Sequence, residues 1–464
     1  MKTSVMWFRN DLRVLDNPAF FESVENSDQV IPLYIIDANL TQGKNSSSNR
    51  NKFLLESLLD LDKSLRDLGG KLIIKSGNIE DIFKELDKQF NVDAVYISED
   101  YTQFSLKRDE FAKSLFKKLN IKFRSFPGRL TVNNLDEIKT GSESVYKVYT
   151  PFYNNWVNVK RRDISLIPTQ IQTPNINNDE INIHLDQNSI SPNLQIGGEA
   201  NALIRLNEFI ENDLKNYSEN HDNLFGNKTS KLSAYLHFGC ISPLYIESLL
   251  DESEASQSFR RQLCWRDFYN YILKFYPDSN KEFQHKYIKL PWKYDEDLIN
   301  AWKMGMTGYP IVDAGMRELK ETGWMHNRAR LIVGSFLTKD LFIDWRVGES
   351  YFMKMLVDGD KSNNNGNWQW IASVGVDPAP VWRRFLNPDS QQEKFDPDAK
   401  YIKKFVPELN DVPIDYISNP GNMTLEQQEK YNCIIGVDYP KRIVDHSKAR
   451  KITLDIFSEI NKMS

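Results

Sequence analysis

Residues 358–370 read DGDKSNNNGNWQW, a concentration of carboxylates, amides and indoles that an ordinary structural segment does not need. Asp358 and Asp360 flank Gly359, asparagines occupy 363–365, and Trp368 and Trp370 stand two positions apart. On a helix, residues two apart differ by about 200°, so these indoles face nearly opposite sides and cannot serve one purpose. Indoles offer flat apolar walls, and they are oxidisable rings. The carboxylates invite cationic partners, which His326-Asn327-Arg328-Ala329-Arg330 supplies in sequence. Thr229-Ser230-Lys231-Leu232-Ser233 sets three hydroxyls and a cation before a helical pattern. That is the chemistry of a helix cap and equally of a phosphate-holding loop. Of ten tryptophans, eight fall between 265 and 382. Core filling explains any one of them better than it explains the cluster.

Composition narrows the classes. A chain of 464 residues has room for two to four domains at ~100–200 residues each. Apolar content of 40% and charged content of 27% are those of a globular protein. No run approaches the ~18 apolar residues of a membrane span. The opening MKTSVMWFRNDLR turns polar before a signal-peptide core forms, so a cytoplasmic protein is expected. Cys240, Cys264 and Cys433 are far apart, and the six histidines do not cluster, so metal catalysis is set aside. Net charge is −5, yet residues 259–346 carry 15 Lys/Arg against 11 Asp/Glu, a local excess of 4. Nucleic-acid binding depends on such local patches and not on the sum.

The elements that must position these residues divide the chain. Five apolar runs, SVMWF, VIPLYII, KLII, AVYIS and IKFRSF, alternate with helical patterns. In one pattern, residues 52–68, Leu54, Leu58, Leu61, Leu65 and Leu68 share a face ahead of Gly69-Gly70. In another, SLKRDEFAKSLFKKL, the face is Leu106, Phe111, Leu115 and Leu119. Alternating β and α units predict a parallel sheet covered by helices, with ligands at the carboxyl ends of its strands. No GxGxxG fingerprint is present. We therefore expect an α/β domain with a Rossmann-like parallel sheet over 1–130 and an interdomain linker over 131–199. The proline- and asparagine-rich stretch of 163–199 reads as a surface crossing. A larger all-α domain follows over 200–464, opening with Leu203, Leu206, Phe209, Ile210 and Leu214 on one stripe.

Seven stretches together carry a resemblance: WFRNDLRVLDNPA, KVYTPFYNNW, TSKLSAYLHFGCISP, RQLCWRDFYNYI, TGYPIVDAGMRELKETGWMHNRARLIVGSFLTKDLFIDW, DGDKSNNNGNWQW and FDPDAKYIKKFVPEL. In this order, over nearly the whole chain, they resemble the photolyase/cryptochrome family. The resemblance implies an all-α domain that binds FAD. It implies cofactor contacts from Tyr217, Thr229, Ser230, Lys231, Leu232, Ser233, Arg266, Asn327, Arg330, Asp358, Gly359, Asp360 and Asn364. Arg330 would pair with Asp358, and Asn364 would face flavin N5, where an amide can hydrogen-bond but cannot act as a carboxylic proton donor. Trp368, Trp345 and Trp292 would pass electrons between the flavin and the surface. Trp265 and Trp370 would wall a pocket for flipped-out bases, with Gln262 and Asn327 beside them. Arg328 and Arg383 would grip flanking phosphates, which orients DNA without reading its sequence. The implied activity is light-driven repair of cyclobutane pyrimidine dimers in damaged DNA by electron transfer from excited reduced FAD. A monomer would carry it out, with no metal and no membrane partner.

Three departures bear on that expectation. Gln262 stands where dimer-repairing relatives usually carry Glu. The (6-4) photolyases resemble this chain in having Gln there, but they place histidines at the positions of Asn327 and Leu331. Lys231 replaces a common arginine, keeping the charge and losing the fork. Phe104-Ser105 replaces the Asn-Glu pair that grips folate in some relatives. For the antenna chromophore, 5,10-methenyltetrahydrofolate is the expectation, with deazaflavin, a second flavin or an empty pocket open. The alternatives are a (6-4) photolyase or a cryptochrome-type receptor. A receptor needs an output element, which the short carboxyl end does not supply. From another class comes a flavin electron-transfer protein without DNA substrate, which leaves Trp265, Trp370 and the arginines unexplained.

Overall fold

The five apolar runs fold as five parallel strands: β1 (Thr3–Phe8), β2 (Gln29–Ile36), β3 (Ile73–Ser76), β4 (Val92–Ser98) and β5 (Lys122–Phe126). The structure, a computed structural model, describes residues 1–43, 46–181, 183–226, 228–278 and 281–463. Both faces of β1, β2 and β4 are covered, which is why those runs are continuously apolar; β5, at the sheet edge, is largely exposed and its run IKFRSF is mixed. Along β1, Val5 and Trp7 join Ile31, Phe83 and Phe116 on one face. Met6 and Phe8 join Phe53, Leu58 and Tyr96 on the other.

The strand order β3-β2-β1-β4-β5 puts the topological switch between β1 and β4. The chain's own helical half docks beside that crevice. Ser98 Oγ donates to Asp11 at 2.6 Å, and Leu12 N–H donates to the Phe238 carbonyl at 3.2 Å. Arg13 donates to the carbonyls of Gly128 at 2.7 Å and Gly239 at 3.0 Å. A Cβ at Gly239, whose φ is +68°, would stand 2.1 Å from the Asn10 carbonyl oxygen, so only glycine permits this approach.

The helix expected over 52–68 spans Ser48–Asp67, capped by Ser47, with Leu54, Leu58, Leu61 and Leu65 buried as read. In the helix Gln103–Lys118 the inward face is rotated from the one read, sharing Leu115 with it. Leu106 and Phe111 are exposed, and Ala112, Leu115 and Phe116 are buried. Small Ser105 and Ala112 allow close approach to the sheet, and the bulky residues on the other side do not.

The stretch 163–199 holds only the short turn Gln187–Ser189 before the helix Glu199–Asn212, among the described residues. It does more than cross a surface. Ile171 N–H donates to the Leu68 carbonyl at 2.8 Å and Asp179 N–H to the Ile74 carbonyl at 2.9 Å. Ile171 and Ile176 are buried. The stretch thus occupies the edge of β3, which would otherwise expose unpaired backbone groups. Upstream of it, Leu135, Phe152 and Trp156 pack with Cys264 and Phe268.

After β5 the described residues contain no further named strand, only two isolated bridges. Helices surround a core of Trp302, Phe336, Trp345, Phe352 and Trp368. The two helices that matter most for the site are Trp345–Met355 and Lys361–Ala372. They meet at Gly348, where a Cβ would come within 2.1 Å of the Trp368 ring. Among the described residues, no helix is long and apolar enough to cross a membrane.

Candidate functional site

A cavity of about 470 Å³ opens in the helical half. Its walls come from the loop at 229–233, the helix Glu254–Phe275, the residues around 324–331 and the segment 356–371. That size suits a ligand of cofactor scale. Seventeen of the predicted residues line it: Tyr217, Thr229, Ser230, Lys231, Leu232, Ser233, Gln262, Trp265, Arg266, Asn327, Arg330, Asp358, Gly359, Asp360, Asn364, Trp368 and Trp370. Trp292, Trp345, Arg328 and Arg383 are not among the lining residues.

The floor is a frame of compensated charge. Arg330 Nη2 donates to Asp358 Oδ2 at 2.7 Å, and the other oxygen, Oδ1, is buried with no protein partner. Asp360 caps the helix Lys361–Ala372, accepting from Asn363 N–H at 2.9 Å and Ser362 Oγ at 2.5 Å. Its second oxygen meets Arg129 at 3.3 Å and lies 3.6 Å from His237 Nδ1. Burial alone would raise the Asp360 carboxyl; the nearby His237 imidazole, the Arg129 charge and the Ser362 hydroxyl override it and hold it well below the usual range. Burial lowers His237, which Asp360 opposes. Asn364 is buried and donates from Nδ2 to the Glu349 carbonyl at 2.9 Å, which fixes the rotation of its amide.

The loop at 229–233 is held from behind. Arg205 donates to the Thr229 carbonyl at 3.0 Å and to the Ser230 carbonyl at 2.9 Å, and Gln195 donates to the Lys231 carbonyl at 3.0 Å. Lys231 adopts φ +53°, and its ammonium lies 5.0 Å from the Trp324 ring centre. Thr229 Oγ1 is buried without a protein partner. The following helix, Ser233–Phe238, has only six residues. Hydroxyls and the lysine charge, more than a helix dipole, would hold phosphates here.

Two indoles flank the mouth. Trp265 lies against Tyr149, ring centres 3.7 Å apart and 3° from parallel. Trp370 is covered by Arg384 at 3.8 Å. Gln262 and Asn327 are exposed at the rim. Arg383 is exposed in the turn Val381–Arg384 beside Trp382, itself 55% exposed. Arg328 differs from a free phosphate clamp. It donates to both oxygens of Asp222, at 3.2 and 2.5 Å, and stacks on Phe395 at 4.2 Å. Arg266 likewise spends its guanidinium on the carbonyls of Arg129 at 2.7 Å and Leu236 at 3.2 Å, so it stiffens the wall.

Trp368 and Trp370 have separate neighbours, as the 200° rule requires. Trp368 is buried against Phe352 at 4.9 Å and Trp302 at 6.2 Å. Trp302 was not anticipated as a neighbour, because nothing local in sequence links positions 302 and 368. Trp345 is buried and donates to Glu282 at 3.3 Å, and Trp292 is half-buried against Phe342 at 5.0 Å. Sequence reasoning also missed His237, Arg129, Trp324 and Arg384. His237, Arg129 and Trp324 contribute through partners distant in the chain, and Arg384 through Trp370 and Asp377 across a turn, which no spacing rule detects. In the sheet half, Phe104 is exposed, with Arg108 between it and Trp7 at 5.7 and 5.3 Å.

Comparison with known proteins agrees over the whole length. Residues 4–174 match the family model described as DNA photolyase, and residues 259–459 match the FAD binding domain of DNA photolyase. The chain is 37% identical over 469 residues to the deoxyribodipyrimidine photo-lyase of Alkalihalophilus pseudofirmus, with 97% of each covered. It superposes on the bacterial class III photolyase from Agrobacterium tumefaciens with a TM-score of 0.91 at 35% identity, covering 100% of this chain and 98% of that one. The Synechocystis cryptochrome gives a TM-score of 0.89 at 28% identity, with 98% and 99% covered.

Proposed function

The chain belongs to the DNA photolyase family and carries its FAD-binding domain, and from that premise we propose that it repairs cyclobutane pyrimidine dimers in DNA under blue light. The observation that carries the reading is one cavity that has a charge-compensated floor and two indoles at its mouth.

The residues present fit FAD. Thr229 Oγ1 and Asp358 Oδ1 are buried polar atoms without protein partners, one at the phosphate-holding loop and one on the floor. Buried polar atoms of this kind are costly unless a ligand or water meets them. Thr229, Ser230, Lys231, Leu232 and Ser233 would hold the pyrophosphate, with Tyr217 closing one side. Arg330, Asp358, Gly359, Asp360 and Asn364 would meet the ring system, and Arg266 and Asn327 would complete the walls. Bound there, FAD supplies the absorption of blue light and the electron that opens the cyclobutane ring.

This chain's own residues do the rest. The Arg330 guanidinium favours negative charge at the floor, and the fixed Asn364 amide offers a hydrogen bond without a carboxylic proton. Trp265 and Trp370 receive the extruded pyrimidines by stacking, which tolerates any base. Gln262 and Asn327 offer amide contacts to base edges at the rim. Arg383 grips phosphate directly, and Arg328 would do so by exchanging Asp222 for the backbone. Trp368 and Trp345, both buried, and Trp292, half-buried, would carry electrons inward from the surface. Among the described lining residues the only histidine is His237, deep beside Asp360, so the rim lacks the acid that (6-4) chemistry needs.

Illumination of the chemically reduced protein with oligonucleotides bearing one defined lesion tests the reading. We expect cyclobutane dimers to disappear and (6-4) products to persist. Loss of (6-4) products alone, or of neither lesion, overturns it.

A further inference from the structure

Trp265 and Trp370 stand on different helices, yet one carboxylate reaches toward both. Asp377 follows the helix Lys361–Ala372 with φ +53°, a strained region for a residue with a Cβ. Its Oδ2 accepts the indole N–H of Trp370 at 3.2 Å. Its Oδ1 accepts the backbone N–H of Tyr149 at 3.1 Å. Tyr149 opens the helix Tyr149–Trp156, whose N-cap residue Val148 has no side-chain acceptor to offer. Asp377 therefore provides the missing cap from a remote point in the chain. Its own N–H donates to the Lys147 carbonyl at 2.8 Å, which closes the junction.

The Tyr149 ring is the one that lies flat on Trp265, and its hydroxyl is anchored to the Arg261 carbonyl at 2.8 Å. On the other side, Arg384 covers the face of Trp370, donates to the Trp370 carbonyl at 3.0 Å and donates to the Asp377 carbonyl. None of Asp377, Tyr149 and Arg384 lines the cavity. They stand behind the two rings that do.

We propose that Asp377 is a positioning residue that sets the gap and mutual angle of the two indole walls, and through them the preference for a crosslinked pyrimidine pair over an intact base. The inference rests on the dimer-repair reading. An indole free to turn about its two side-chain torsions would follow either ligand. A charge-assisted bond at Nε1 and a guanidinium on its face remove that freedom from Trp370. The helix cap and the Tyr149 stack do the same for Trp265. A cyclobutane-linked pair is thicker than a single base and not flat. A rigid gap shaped for it rejects the single base, and a collapsible gap admits both.

Three single variants and one double variant test this in the flavin-loaded protein. Trp370→Phe keeps an aromatic ring and removes the Nε1 donor. Asp377→Ala removes both anchors, and Asp377→Asn keeps one acceptor oxygen. The readouts are dissociation constants for matched duplexes with and without one cyclobutane dimer, flavin absorbance per chain, and KM against kcat for repair by chemically reduced protein. We expect Trp370→Phe and Asp377→Ala each to lower the preference for the dimer about tenfold. The loss should come through weaker lesion binding, raised KM and tighter binding of intact DNA, with flavin content unchanged. Asp377→Asn should recover part of it, and the double variant should lose less than the product of the single losses. Unchanged preference in Trp370→Phe and Asp377→Ala, or an equal loss of affinity for both duplexes, overturns the proposal. If Asp377→Ala does not fold, Asp377→Asn, which keeps the side-chain volume, decides: a preference equal to the parent's overturns the proposal. If the unsubstituted protein shows no preference for the dimer, the dimer-repair reading fails first and this inference with it.

Discussion

On the floor of the cavity Asp358, Asp360 and Arg129 are buried, and their charges are met within the chain. At the mouth Gln262 and Asn327 are exposed; outside the lining Arg383 is exposed, and Arg328 holds Asp222 where water also reaches. The difference follows from desolvation. A buried charge without a partner is severely unfavourable, so under the proposed function a floor holding a ring system in one electronic state would carry its counter-charges beforehand. On the same reading, a mouth accepting DNA at any sequence would keep its charges in water, where exchanging one anion for another costs little. If this division holds, floor variants alter flavin retention and stability, and mouth variants alter DNA affinity alone.

The largest effect should come from Asp358→Ala. It removes the acceptor of Arg330 and a compensating charge near Arg50, whose guanidinium burial already lowers to about 10. Breaking such a pair costs about 3 kcal/mol. Thermal melting and flavin per purified chain should both fall. An unchanged melt with full flavin would mean that the floor is not a prearranged frame.

The shoulder between floor and mouth supplies a pH test. Burial pushes His326 from 6.5 down to about 4. The folded value lies below the unfolded one, so the neutral ring's contribution is complete above pH 6.5 and is lost as pH falls toward 4. That window amounts to ~3 kcal/mol of stability. His326 Nδ1 also accepts the Arg328 N–H at 3.1 Å. His326→Asn keeps a helix-capping acceptor and removes the titration, so denaturation midpoints measured between pH 7.5 and pH 4.5 should drift less in the variant than in the parent.

Trp368→Phe belongs to the floor and should slow light-driven flavin reduction by at least about tenfold. Repair by chemically reduced protein should be spared. Because Trp302 lies 6.2 Å from Trp368, Trp302→Phe sharpens the point. A slowing with Trp302→Phe and none with Trp345→Phe would move the electron route to a different set of rings.

The smallest effect is assigned to the mouth. Arg383→Ala should weaken damaged and intact DNA alike, a few-fold at physiological salt, and lower the salt slope of binding by about 1. Flavin content should not move. A lesion-selective loss would give Arg383 a part in recognition beyond phosphate.

Much of the architecture was legible in the residues because it depends on short-range pattern. Apolar runs separated by helical patterns make parallel strands, and each of the five strands overlaps the run read for it, β3 being shifted two residues along and β5 largely exposed at the edge. The Arg330–Asp358 pair was legible for another reason: the motifs HNRAR and DGD each hold their residues rigidly in sequence, and the resemblance joins the two. Legibility failed wherever partners meet only by folding. The inward face of the helix Gln103–Lys118 was misread because both faces carry apolar residues, and only the distance to the sheet selects the one with small side chains. His237 against Asp360, Trp302 against Trp368 and Asp222 against Arg328 join residues dozens to more than a hundred positions apart.

By itself, then, the order of amino acids determined which segments become strands and helices, which side chains stand two or four positions apart, and which residue types reach the cavity. The tertiary structure decided which charges are neutralised inside the chain and which remain for a ligand. It also decided that Asp377 ties Tyr149 and Trp370 together from a left-handed turn. The physical reason is that propensity and periodicity act over a few residues, whereas compensation of buried charge and the rotation of a ring depend on whatever neighbour packing brings within about 3 Å.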